Sequence, residues 1–154
     1  MLHKLDRLLD GPHKKILFAG IGNVLRSDDG AGVYICRHLE PAPSRLALPV
    51  ETSIENYIGK INRSGADVLV LVDCVDFHRT PGYHDLLPVE ELLDITVHTH
   101  NISLKKIAEL FHMPAYILGI QPADTSFGEE LSGPVKEAAD SIIQIINQSA
   151  ERRD

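Results

Sequence analysis

The sequence predicts an α/β domain built on a largely parallel sheet. Strand-like apolar runs alternate along the chain with helical patterns, the order that gives parallel strands joined by right-handed crossovers. Val68–Val72 is an unbroken apolar run, as expected of a strand buried on both faces inside a parallel sheet. The chain has 154 residues, 44% of them hydrophobic, enough for a single domain with its own core.

The elements follow in order. Residues 1–14 are a prelude in which Leu2, Leu5, Leu8 and Leu9 fall at helical spacing until Gly11-Pro12 stops the pattern, which predicts a short amphipathic helix or a loose tail. Residues 15–154 form the single domain. Lys15–Ala19 is the first strand and runs into Gly20. A turn-rich stretch reaches Gly30, after which Val33, Cys36 and Leu39 mark one face of a helix near 30–40. Pro41 and Pro43 end it. Val50–Ile54 is the expected second strand, followed by a helix near 55–64 closed by Ser64-Gly65. Beyond Val68–Val72, the Pro81-Gly82 turn leads to a strand over Tyr83–Leu87. Apolar residues at 104, 107, 108, 110 and 111 predict a helix within Ile102–Phe111. Ala115–Ile120 is the last strand. Ser132-Gly133-Pro134 opens the final helix, whose stripe is Val135, Ala138, Ala139, Ile142, Ile143 and Ile146.

The net charge is −7, so no basic face for nucleic acid or for an anionic membrane surface is expected. Partners with basic faces or bound cations fit better. The N-terminal stretch lacks the apolar core of a signal peptide, and no apolar run approaches a membrane span. Cys36 and Cys74, with no C-x-x-C pair, read as buried free thiols in a reducing cytoplasm.

Three polar clusters sit where strands should end. The first is Gly20–Gly32, GIGNVLRSDDGAG. Its glycines suggest a dinucleotide loop, but the G-x-G-x-x-G pattern breaks at Leu25, and the adjacent Asp28 and Asp29 would repel a pyrophosphate. A helix-capping role accounts for one of these aspartates and not the other. The second cluster is Asp73-Cys74-Val75-Asp76. An aspartate at the carboxyl end of a central parallel strand stands where open α/β sheets bind ligands, although a turn-forming aspartate explains it equally well. Cys74 reads as a small buried hydrophobe. The third cluster is His98-Thr99-His100-Asn101, whose two imidazoles share one side if the backbone is extended. Two carboxylates and an imidazole converging from these loops would suit a borderline divalent ion such as nickel, zinc, manganese or iron.

In this order and spacing, GIGNVLRSDDGAG, VLVLVDCVDF (Val68–Phe77) and THN (Thr99–Asn101) resemble the hydrogenase maturation proteases. These endopeptidases trim the C-terminal extension from the large-subunit precursor of nickel–iron hydrogenase. LGIQP (Leu118–Pro122) is similar to the branch serving the formate-hydrogenlyase type. The resemblance spans Lys15 to about Asn147; the prelude is longer than is usual in the family. It implies a three-layer α/β/α sandwich around a twisted, mainly parallel sheet, and a cytoplasmic, monomeric protease. Its partner is the hydrogenase large-subunit precursor, which supplies the nickel; no organic cofactor is implied. Matched residue by residue, the metal-contacting and catalytic set is Asp29, Asp73 and His100. Asp28 is the neighbouring acidic position that supports the loop, Asp76 matches a common second aspartate, and His98 stays outside the set. Two accounts of the chemistry stand open. Either the nickel positions the peptide bond and activates water, or it is a recognition tag and the carboxylates hydrolyse alone, as an aspartyl-type enzyme would. A non-catalytic, metal-dependent checkpoint or chaperone, and a metal-dependent exopeptidase, are the alternative functions. Asp29, Asp73 and His100 are expected to meet in a solvent-accessible cleft.

Overall fold

The computed structural model describes residues 2–13, 15–92 and 104–153. Its elements are α1 (Leu2–Leu9), β1 (Ile16–Ile21), α2 (Ala31–Arg37), β2 (Arg45–Glu51), α3 (Ile58–Asn62), β3 (Val68–Cys74), β4 (His84–Pro88), α4 (Leu104–Ala108), β5 (Ala115–Ile120) and α5 (Gly133–Arg153). The strands form one sheet in the order β2-β1-β3-β5-β4. All pairings are parallel except the antiparallel β4–β5 edge.

Alternation along the central strands divides the core into two layers. Ile16, Phe18, Val70 and Val72 face α1, α2 and α5, where they meet Leu5, Ile35, Val135 and Ile142. Leu17, Ala19, Leu69 and Leu71 face the other side, where Ile54, Ile61, Leu104 and Ile107 cover them. The three-layer sandwich follows from this two-sided burial. The prelude helix takes part in it: Leu5, Leu8 and Leu9 are buried in the same layer as α5. Each such burial contributes about 1.5–3 kcal/mol.

The second strand lies earlier than expected. It is Arg45–Glu51, and Ile54 instead opens a short 3-10 turn, Ile54–Tyr57. Pro49 hid it, because a proline inside a run argues against a central strand. β2 is an edge strand, which needs ladder bonds on one side only, so Pro49 is tolerated opposite Gly20. The helix expected over 55–64 is correspondingly short, Ile58–Asn62 after the 3-10 turn.

Register aligns the carboxyl ends of the central strands. Gly20 pairs with Val72, Val72 with Leu118, and Asp73 with Gly119. The segments leaving β1, β3 and β5 therefore emerge together at one edge of the sheet, where crossover topology concentrates ligand sites.

Candidate active site

The segment after β1 folds back onto the strand ends. Asn23 shapes its start: its Oδ1 accepts the Leu25 N–H at 2.9 Å. Ser27 then adopts a left-handed backbone, φ 51°, and the chain closes into a 3-10 turn, Ser27–Gly30, that carries Asp28 and Asp29. Backbone meets backbone at two glycines. Gly22 has φ 130°, and a side chain there would run into the Asp29 carbonyl. At Gly32 a Cβ would collide with the Val72 carbonyl oxygen, at 2.7 Å from its carbon and 2.9 Å from the Ile21 oxygen. These atoms belong to strands and cannot step aside. Gly32→Ala is expected to destabilise the fold by about 1–3 kcal/mol or more, read as a fall in urea midpoint with unchanged slope.

Asp28 and Asp29 have separate tasks. Asp28 is fully buried, at 0% exposure. Its Oδ1 accepts from the Ser132 N–H (2.7 Å), and its Oδ2 from the N–H groups of Ala123 (2.8 Å) and Asp124 (3.0 Å) and from the Ser132 hydroxyl (2.8 Å). Both oxygens are thus committed to the segment between β5 and α5, and Asp28 is a structural clasp. Asp29, 1% exposed, accepts the Asn23 N–H at 2.9 Å on Oδ2. Asp73, 0% exposed, is the penultimate residue of β3, and its Oδ1 accepts the Cys74 N–H at 2.8 Å.

Cys74 ties the end of β3 to the turn that carries Asp28 and Asp29. Its Sγ donates to the Asp28 carbonyl at 2.6 Å. Burial pushes the Cys74 thiol well above its ordinary value, and the negative fields of Asp73, Asp29 and Asp28 push it further. A buried, protonated thiol in that setting is packing and not a nucleophile. Cys36 is likewise buried and free, its thiol pushed up to about 12 by desolvation.

Two of the three expected site residues, Asp29 and Asp73, lie at the carboxyl end of the sheet. His100, with His98, lies outside the described residues. The expectation placed the set in an open cleft; Asp29 and Asp73 are both buried, and the turn that carries Asp29 packs closely on the backbone at Gly22. Asp76 serves the next turn. It accepts the His78 N–H (2.9 Å) and the Gln121 amide (3.1 Å), which hold its carboxyl below the ordinary range.

Sequence reasoning missed two supporting residues. Gln121, just past β5, accepts the Phe77 N–H at 2.6 Å and so ties the segment after β3 to that after β5. Ser132 reads in sequence as a helix opener; in the structure its amide and hydroxyl also close the Asp28 clasp. The LGIQP motif signalled the first; no local pattern signals a bond between residues this far apart.

The family profile described as hydrogenase maturation protease (HycI) matches residues 50–149. The chain belongs to the hydrogenase maturation protease family. Among its relatives, the hydrogenase 3 maturation protease of Escherichia coli K12 is 25% identical over 130 residues, covering 80% of this chain and 83% of that one. A putative hydrogenase maturation protease of Methanocaldococcus jannaschii is 27% identical over 149 residues, 86% of this chain and 94% of that one. The protease also shares its fold with the NiFe hydrogenase maturation protease HycI of Thermococcus kodakarensis, at a TM-score of 0.84 and 28% identity over 96% of this chain and 99% of that one. As a family member it is a peptide hydrolase.

Proposed function

We propose that this protease is the endopeptidase that removes the C-terminal extension from a nickel-loaded hydrogenase large-subunit precursor. The observation that supports it is the placement of Asp73 at the carboxyl end of β3 and of Asp29 on the turn packed against the same end of the sheet, in a chain of this family. Two buried carboxylates at one end of the sheet make a negative environment suited to a divalent cation. Asp29 and Asp73, with His100, are the donors offered to the precursor's nickel, which is part of the substrate. Either carboxylate is also competent to take the proton of water as its oxygen attacks the scissile carbonyl, the aspartyl-type role. The two free, buried thiols fit a reducing cytoplasm. The protein acts as a monomer, and no described helix is long and apolar enough to cross a membrane.

Incubating the protein with purified nickel-loaded precursor tests this. A shortened large subunit and a released peptide are expected. Tight binding without cleavage would replace the protease with a checkpoint chaperone, and hydrolysis of short free peptides would replace it with an exopeptidase.

A further inference from the structure

The Asp28 clasp holds up an apolar surface beside the candidate site. Phe127 is 88% exposed and Leu25 46% exposed, and the two belong to segments bonded to each other. Gly128 donates to the Leu25 carbonyl (2.9 Å), and the Ser27 N–H donates to the Gly128 carbonyl (2.7 Å). The Ser27 hydroxyl donates to the Ser126 carbonyl (2.8 Å), and Arg26 Nε to the Thr125 carbonyl (3.1 Å). The parallel bridge between Arg26 and Gly128 sets Leu25 and Phe127 one step earlier in the same register. Phe127 is therefore fixed on both sides by backbone bonds, with its ring held out in water. A loosely tethered segment could fold such a ring down onto apolar surface; this one is prevented from doing so. Single exposed apolar residues are ordinary; here two lie side by side in register on bonded segments. From Phe127 and Gly128 the chain continues into the wall of a groove of about 390 Å³ lined by Tyr34, Glu129, Glu130, Leu131 and Lys136.

We propose that Leu25 and Phe127, with Glu129 and Glu130, form the docking surface for the precursor. The occupant is a precursor segment that lays an apolar side chain on the Leu25–Phe127 pair and sets basic side chains against the two glutamates. Two features of the protein support this occupant. Leu25 lies two residues before the 3-10 turn that carries Asp29, and the Phe127 segment is hydrogen-bonded to the start of that turn, so a chain docked here is held against the segment that positions the carboxylates. The exposed glutamates, in a chain of net charge −7, complement a basic partner. The inference rests on the protease reading and names how the substrate is held.

The test measures affinity for the nickel-loaded precursor by calorimetry, together with KM and kcat for its cleavage. The variants are L25S/F127S, the single variant Phe127→Ser and the charge reversal E129K/E130K. Phe127 makes its bonds through neighbouring backbone, so Phe127→Ser folds normally even if the double variant does not. Each double variant is expected to weaken binding about tenfold or more, with KM rising more than kcat falls. The loss in E129K/E130K shrinks as salt rises. Wild-type affinity in all three would overturn the surface while leaving the protease intact. Loss of binding in the variants of a wild type that binds but never cuts would uphold the surface and overturn the protease. Self-association of the wild type that the variants abolish, with precursor binding unchanged, would assign the surface to a second copy instead.

Discussion

Asp73→Asn is expected to lower precursor cleavage by about 10²–10⁴-fold, the range for loss of a catalytic acid–base group, with the fold intact. The substitution keeps shape and also keeps an Oδ1 for the Cys74 N–H that Asp73 now accepts. What it removes is charge, which both a cation ligand and a general base require. The structure sharpens this test. A turn-forming aspartate was an equal explanation of the sequence, yet Asp73 lies inside β3, paired with Gly119, where no turn needs it. Thermal melting of the variant checks the fold, and the mobility shift of the nickel-loaded large subunit checks cleavage. A folded Asp73→Asn protein that cuts normally would take Asp73 out of the site.

The largest loss of stability is expected from Asp28→Ala, about 2–4 kcal/mol. Four donors converge on that carboxylate: the N–H groups of Ala123, Asp124 and Ser132, and the Ser132 hydroxyl. Deleting it leaves them to find water at a partly buried seam. The figure stays below the sum of four charge-assisted bonds because the variant no longer buries a charge. A domain of this size then melts roughly 5–15 °C lower. Asp28→Asn falls between, since its amide N–H₂ must face at least one donor. The segment 121–132 should also become the preferred site of proteolytic nicking. A melting point for Asp28→Ala within about 2 °C of the wild type would show that the clasp is not a principal tie.

The sheet and its helices were largely legible, because each central strand is a continuous apolar run and α5 carries a clear stripe. β2 was displaced because Pro49 obscured it and only the edge position made that proline acceptable. At the site, Asp73 stood out as the polar residue ending an apolar run, whereas Asp29 was singled out by the motif that carries the resemblance. The division of labour between Asp28 and Asp29 was not: neighbours in sequence, they differ only in which distant groups reach them. Their burial was also hidden, since it depends on how closely Gly22 and Gly32 let one backbone approach another.

The contact at Gly32 also bears on the order in which the chain is expected to fold. Its backbone rests against the carbonyls of Ile21 and Val72, which come from strands that meet only after a long crossover has closed. The Val72 carbonyl comes beside β1 only when β1 and β3 pair, so α2 is expected to seat fully on a finished ladder. The turn carrying Asp28 and Asp29 leads directly into that helix. In a folding experiment, substitutions there should speed unfolding and leave the refolding rate nearly untouched, whereas truncations of Val70 or Leu71 should slow refolding. The carboxylates would then be gathered by a scaffold already committed to its topology, which spares the nascent sheet from having to assemble around clustered negative charge.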